Sequence, residues 1–212
     1  MACPICEKRK AERFCPAKGE KICAVCCGTE REVSIDCHRD CAYLMAAHRY
    51  EDQQQRSLPA DTPLLDAKVS QDMIYSHQDV LSGLAFTAAK FSAANPGTTD
   101  PDVLLALQSL AQTYKTLGSG ILYENRPEAT IPRELYAALA GFLREAKQQA
   151  AERGAAPPVK DTEVFPLLVF LYRMGLLRTN GRPRARRYIE FLRGQFPAEP
   201  ELKHEESRII VP

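Results

Sequence analysis

Residues 3–41 read CPICEKRKAERFCPAKGEKICAVCCGTEREVSIDCHRDC and contain all eight cysteines of the 212-residue chain. Eight thiols in one short stretch indicate either metal ligands or disulfides. The chain starts Met1-Ala2-Cys3 without an apolar leader, so we expect a cytoplasmic protein whose thiols stay reduced. The stretch therefore predicts a metal-binding module rather than a disulfide framework.

Two Cys-x-x-Cys pairs, Cys3/Cys6 and Cys23/Cys26, predict a four-thiolate zinc site. Two residues between the thiolates allow a tight turn to aim both sulfurs at one tetrahedral ion. The 16 residues that separate the pairs fit the spacing of structural zinc sites. An iron–sulfur cluster also uses thiolates, but the ferredoxin spacings are absent from this sequence.

The four remaining cysteines predict a second zinc ion. They are Cys15, Cys27, Cys37 and Cys41. Cys37 and Cys41 are four residues apart and would face the same way on a helical turn. Adjacent residues generally point apart, so Cys27 should not share the ion of Cys26. We expect Cys15, Cys37 and Cys41 to bind the second ion together with Cys27 or His38, and one zinc with spare thiols is the alternative.

The order of the ligands resembles the interleaved, cross-brace zinc fingers of the MYND and HIT types. In those fingers the first and third ligand pairs hold one ion, and the second and fourth pairs hold the other. The first, third and last pairs are matched here by Cys3/Cys6, Cys23/Cys26 and Cys37/Cys41. Cys15-Pro16 resembles the start of the second pair, but Lys18 stands near the place of its second cysteine, and His38 is one place out of register. The resemblance covers residues 3–41 and implies protein–protein recognition.

The rest of the chain predicts a mostly α-helical protein, in which the zinc module precedes an all-helical domain of about five helices. We expect the module and an exit helix in residues 1–56, a Pro-containing linker in residues 57–68 and the helical domain in residues 69–212. His48 should lie on the surface of the exit helix.

Apolar periodicity and helix-capping residues predict where the helices of that domain lie. Apolar residues recur at helical spacing from Val69 to Phe91, which predicts one helix there. Asp100 should be the N-cap of the next helix, and Pro183 should start the last one. Residues 163–177 are apolar on nearly all sides, which predicts the central buried helix.

Seven arginines and one acidic residue, Glu190, lie between Arg173 and Arg193. One interpretation is a phosphate or nucleic-acid contact. Its residues would be Arg182, Arg184, Arg186, Arg187 and Arg193. The other interpretation is a solvated face paired with acids elsewhere. Examples close behind in the sequence are Glu199, Glu201, Glu205 and Glu206.

Composition limits the function classes. A net charge of +1 argues against a surface built wholly for nucleic acid or anionic membrane, and the longest apolar run is too short for a membrane span. No P-loop, G-x-G-x-x-G, HExxH or G-x-S-x-G motif occurs, so we expect no enzyme. The sequence favours an adaptor that binds another protein. RNA or ribosome binding through the arginines, or a thiol-based redox or metal sensor using Cys27, are the alternatives.

Overall fold

The computed structural model describes residues 1–54, 57–120, 123–154 and 158–196. These residues form, in chain order, β1 (Arg13–Cys15), β2 (Glu20–Ile22), α1 (Ala24–Glu30), α2 (Ala42–Asp52), α3 (Gln71–Ser76), α4 (Gln78–Ala94), α5 (Asp100–Gly118), α6 (Thr130–Arg153), α7 (Asp161–Arg178) and α8 (Arg187–Gln195). The chain is therefore mostly helical with a small N-terminal cysteine-rich module, as its sequence predicts. None of these helices is long and apolar enough to cross a bilayer.

The cysteine module is built around a short hairpin. β1 and β2 pair antiparallel, with Arg13 opposite Ile22. Gly19 takes φ +69° in the turn, where glycine meets no Cβ penalty, and its amide donates to the Cys15 carbonyl at 2.9 Å. Apart from cysteines, the buried residues of this cluster are Ile22 and Ile35. Two aliphatic side chains are too small a core to hold the module, so it needs another cross-link.

One apolar core joins helices α4 to α8. α5 buries Val103, Leu107 and Leu110, each at most 1% exposed. α7 presents its own buried stripe, with Val164 and Leu168 fully enclosed. Both stripes follow the i, i+4 repeat of a core-facing helix, and α5 and α7 form the largest helix–helix interface. The prediction of a central buried helix over residues 163–177 is confirmed.

Two glycines let helices approach closely. A Cβ added at Gly83 of α4 would lie 2.0 Å from Cζ of Phe142 on α6. A Cβ at Gly175 of α7 would lie 2.6 Å from Cε1 of Tyr188 on α8. Real Cβ atoms do not come this near to ring carbons, so both crossings require a residue without a side chain.

The single helix expected from Val69 to Phe91 is wrong, because His77 leaves the helical conformation with φ −122° and ψ 28° and divides it into α3 and α4. The His77 amide still donates to the Met73 carbonyl at 3.1 Å, so the break leaves this group bonded. Six helices therefore follow the module in the described residues, where about five were expected. His77 lies at the core edge, with Nε2 3.8 Å from Oε2 of Glu163.

The prediction that Asp100 is the N-cap of α5 is wrong. Thr99 occupies that position, and its amide donates to Asp102 Oδ2 at 2.9 Å. Asp100 is fully buried and accepts hydrogen bonds from the amides of Tyr188 at 3.2 Å and Ile189 at 3.1 Å. Burial raises the pKa of Asp100 although these two amides oppose the shift. The carboxylate thus satisfies unpaired N–H groups at the start of α8.

The last helix begins at Arg187, so the expected start at Pro183 is wrong. The chain before it forms a loop, in which Ala185 is fully buried and its carbonyl accepts from the Asp100 amide at 2.7 Å. This long-range bond holds the loop in a non-helical path. The helix-starting preference of proline is a local effect that such a contact overrides.

The segment between module and helical domain is tied to α7. The Arg173 guanidinium donates to the carbonyls of Leu64, Leu65 and Ala67 at 2.6, 2.8 and 2.9 Å. Leu64 and Ala67 also pack against the helical core. The acids suggested as partners of the arginines, Glu199, Glu201, Glu205 and Glu206, lie outside the described residues.

Candidate metal centre

The first Cys-x-x-Cys pair lies in a tight loop at the start of the chain. The Cys3 amide donates to the Arg9 carbonyl at 2.8 Å, and the Glu7 amide donates to the Cys3 carbonyl at 2.7 Å. Glu7 takes φ 54°, a left-handed conformation that reverses the chain. A bridge between Ala2 and Lys10 closes the loop. The turn therefore holds Cys3 and Cys6 together by backbone bonds alone.

The second pair stands at the start of a helix. Cys23 is the N-cap of α1, and its sulfur accepts from the Cys26 amide at 3.3 Å. The Cys23 amide in turn donates to Cys3 Sγ at 3.2 Å, across 20 residues of sequence. The hairpin β1–β2 thus delivers the second pair to the first, and the helix N-terminus favours the negative charge of thiolates.

All four sulfurs of these pairs lie within 4.8 Å of one another. The Sγ atoms of Cys6 and Cys23 are 3.9 Å apart. Four Zn–S bonds of about 2.3 Å in a tetrahedron place the sulfurs about 3.8 Å apart, so the spacing fits one such ion. Cys3, Cys23 and Cys26 are buried and Cys6 is partly exposed. The predicted first ligand set is thus brought together.

The protonation of these thiols is uneven. Backbone amides of Lys8 and Arg9 lower the pKa of Cys6 to about 6. Burial opposes ionisation of Cys3, yet amides such as that of Cys23 outweigh it and lower its pKa. Burial raises the pKa of Cys26 to about 12. Metal binding by thiolates releases the protons that the free thiols carry, so binding at this set should depend on pH.

The other four cysteines do not show comparable geometry in the described residues. Among the described residues, the first set is the one group of three or more metal-ligating side chains within 4.8 Å. Cys15, Cys27 and Cys37 pack in the same buried cluster as that set. Burial raises the pKa of Cys37, and the charges of Cys15 and Cys41 add to the shift, so these thiols are within electrostatic range.

Cys37 and Cys41 do not share a helical turn. Cys41 is the N-cap of α2, and its amide donates to the His38 carbonyl at 2.9 Å. Cys37 therefore precedes the turn rather than lying on the helix. His38 is exposed, with Nδ1 3.5 Å from Oδ2 of Asp40. The expectation of a helical pair is wrong because the helix starts one residue after Cys41.

Three of the clustered arginines bind the cysteine module. The guanidinium of Arg182 donates to the carbonyls of Gly28, at 3.1 Å, and Arg31, where it meets the unpaired carbonyls at the end of α1. Arg186 forms an ion pair with Asp36 at 2.5 Å. Arg187 pairs with acids at the end of α2, with Glu51 at 3.2 Å and with Asp52. The acidic partners of the cluster thus lie in the module.

Two of the clustered arginines remain on the surface. Arg184 and Arg193 are both exposed. The Arg184 backbone amide donates to the Glu32 carbonyl at 2.9 Å, but its side chain forms no hydrogen bond or ion pair with a described residue. The five arginines proposed from the sequence therefore divide into three that contact the cysteine module and two with exposed side chains.

The sequence did not indicate that a buried carboxylate lies between the cysteine module and the loop before α8. Glu32 is 3% exposed, and its Oε2 accepts from Asn180 at 2.7 Å and lies 3.2 Å from Nε2 of His48. His48 is thus mostly buried, with a side chain 14% exposed, not a surface residue. Burial opposes ionisation of Glu32, but these contacts outweigh it and lower its pKa. Its left-handed φ of 52° was not visible in the sequence.

Comparisons with protein-family models, curated proteins and solved structures find no match to this chain.

Proposed function

We propose that this chain is a non-enzymatic, zinc-dependent adaptor whose cysteine module binds another protein. The observation that carries the proposal is the cluster of four sulfurs within 4.8 Å on two short-range turns. Such a closed, all-thiolate set suits a structural ion, whereas catalytic zinc needs an open position, generally beside histidine or carboxylate ligands. The ion replaces the apolar core that the module lacks, and it can supply on the order of 10 kcal/mol to folding.

Zinc is the proposed metal because of the donor set. Four thiolates in a tetrahedron select Zn²⁺ or iron–sulfur centres, and the ferredoxin spacings are absent. The reduced thiols that such binding requires favour the cytoplasm as the location.

The proposal includes a second zinc, at Cys15, Cys37 and Cys41 with Cys27 or His38 as the fourth ligand. Its support is that Cys15, Cys27 and Cys37 pack in one cluster, and that the charges of Cys15 and Cys41 act on the pKa of Cys37. Binding of this ion requires the side chains to close around it, so the number of zinc ions per chain decides between one site and two.

RNA binding through the arginine cluster is less well supported. Arg182, Arg186 and Arg187 are occupied by carbonyl and carboxylate groups of the module. A phosphate would have to displace these partners. The ion pairs instead favour a structural role for that part of the cluster.

The test combines metal analysis with capture of binding partners. Full-length protein should hold zinc, at two ions per chain if both sites fill and one if only the first does. The double variant Cys6→Ser/Cys26→Ser should lose the first ion and fail to retain proteins that the wild type retains in quantitative mass spectrometry. Point variants are preferable to removal of residues 1–54, because removal would uncover Arg182, Arg186 and Arg187 and create new charge.

The matched control is Thr29→Ala, an exposed position on α1. It should keep both the metal and the captured proteins. A direct binding measurement with the purified partner must reproduce the difference. Retention of the same partner by the metal-free variant, or iron in place of zinc, would overturn the proposal.

A further inference from the structure

A groove runs between the cysteine module and helices α4 and α8. Two clefts of about 490 Å³ and 540 Å³ form it. Arg39, Ala93, Glu190 and Arg193 line both clefts, so the two are continuous. Each has a volume typical of binding sites, about 300–1,000 Å³. The cysteines of the first metal set line neither cleft.

Part of the groove floor is apolar. Leu44, Ala89 and Ile189 line it as buried residues. At its far end Phe86 remains 48% exposed, and its ring meets that of Phe196 edge to face with centroids 5.3 Å apart. A half-exposed aromatic pair in a concave surface offers contact area for an apolar side chain.

The walls of the groove carry exposed cations. Lys90, Arg184 and Arg193 are exposed, and their side chains form no hydrogen bond or ion pair with any other described residue. Arg39 adds a fourth positive charge, at 4.0 Å from Asp40. Exposed cations beside an apolar floor attract a ligand that carries both carboxylates and an apolar group.

Most acidic residues that line the groove already form hydrogen bonds or ion pairs. Glu32 is bound by His48 and Asn180, and Asp36 is paired with Arg186. Glu190 is the remaining carboxylate among the described lining residues, and it is exposed. The groove therefore has an excess of positive charge, which the three carboxylates among its lining residues offset in part.

We propose that this groove binds an acidic peptide segment of another protein. Its carboxylates meet Arg184, Arg193 and Lys90, and a large apolar side chain packs on Phe86. The proposal rests on the proposed role in protein recognition and adds the surface and the chemistry of the partner. It favours a peptide over RNA because the apolar residues of the floor and the exposed Phe86 ring suit the apolar side chains of a peptide.

The test is fluorescence anisotropy with the metal-loaded, full-length chain. The probe is the fluorescein-labelled peptide EDEFLEDE. Matched probes replace the acids by lysine, replace the central Phe-Leu by Gly-Gly, or consist of single-stranded oligouridine. We expect saturable binding of the first peptide, weaker binding of the Gly-Gly peptide and no binding of the lysine peptide. Oligouridine should bind more weakly than the acidic peptide.

The decisive variant is Arg184→Glu/Arg193→Glu, which should weaken binding of the acidic peptide at least tenfold. Lys68→Glu/Arg144→Glu changes the net charge equally at exposed positions away from the groove and should leave the affinity unchanged. Helical circular dichroism and metal content confirm that both variants fold. Equal loss in both double variants would overturn the proposal, as would tighter binding of oligouridine.

Two other occupants of the groove would give different experimental results. If the peptide binds only after E199Q/E201Q/E205Q/E206Q, the groove belongs to residues 197–212 of this chain and the proposal is overturned. A dimer in sedimentation that the Arg184→Glu/Arg193→Glu variant dissociates assigns it to a second copy and also overturns it. If the peptide does not bind but metal-dependent capture of partner proteins is retained, only the groove proposal is overturned. If metal-dependent capture is lost, the adaptor function is overturned.

Discussion

Asn180 donates its side-chain Nδ2 to Oε2 of Glu32 at 2.7 Å, and so joins residues 148 positions apart in the chain. The bond ties the cysteine module to the loop before α8. His48 lies against the same carboxylate oxygen. Replacement of this carboxylate therefore disturbs two partners at once.

Glu32→Gln should lower the free energy of unfolding by about 1–3 kcal/mol, since a buried hydrogen-bonding group is left with poorer partners. Urea denaturation followed by circular dichroism measures the change. Glu20→Gln is the control, because Glu20 is exposed on β2 and should change stability by less than about 0.5 kcal/mol. Equal effects of the two substitutions would contradict the role of Glu32.

Stability should fall in acid, and Glu32 should account for part of the fall. The contacts with His48 and Asn180 outweigh burial and hold the pKa of Glu32 below its ordinary value of 4.5. The folded state thus binds its proton less tightly than the unfolded state. Its contribution is present above pH 4.5 and is lost as the pH falls through the folded pKa. Unfolding curves across this range should show a smaller acid loss for Glu32→Gln than for wild type.

Chelation of the metal should unfold the cysteine module and leave the helical domain folded. The cysteine cluster and the helical core are separate groups of buried residues, so the second does not depend on the first for its packing. Hydrogen exchange should show loss of protection within residues 1–54, with protection of α5 and α7 retained. Collapse of both regions in one transition would contradict this expectation.

Arg187→Met should destabilise the protein by about 1–2 kcal/mol, because it removes a side chain paired with Glu51 and Asp52 in a mostly buried setting. Arg184→Met is the matched control and should change stability by less than about 0.5 kcal/mol. Thermal unfolding of both variants at low and high salt measures the difference. A larger effect of Arg184 would contradict the structural assignment of the two arginines.

Gly83→Ala should destabilise the protein by about 1–3 kcal/mol, because its Cβ would overlap the ring of Phe142. Gly141→Ala is a sharp contrast, since Gly141 lies in α6 with no neighbouring atom within 4 Å of an added Cβ. That substitution should stabilise by about 0.5–1 kcal/mol through helix propensity. Chemical denaturation of the pair tests whether the α4–α6 crossing requires glycine at one position alone.

Local features were predictable from the sequence. The Cys-x-x-Cys spacings predicted the first thiol cluster because each pair lies on a turn of neighbouring residues, and a short hairpin brings the two pairs together. The apolar composition of residues 163–177 predicted the buried helix α7, because a helix that is buried on nearly all sides consists mostly of apolar residues.

Features set by distant contacts were not predictable. Asp100 has the residue type and position of an N-cap, but its carboxylate accepts a hydrogen bond from the Tyr188 amide at the start of α8, 88 residues later. Pro183 resembles a helix start, yet the loop is held by the buried Ala185. His48 lies on a polar helix, and only the fold shows that Glu32 faces it. No single-sequence pattern carries such pairings, because the partners are chosen by tertiary geometry.

The joint formed by Asn180 and Glu32 has a consequence for synthesis on the ribosome. At about 5–20 residues per second, translation delivers Asn180 roughly 7–30 s after Glu32. During that interval the module must hold its shape with the Glu32 carboxylate in water, and the late arrival of the loop then encloses it. With the proposed metal bound early, the N-terminal unit would be stable during that interval, while its docking through Glu32 waits until Asn180 has been synthesised.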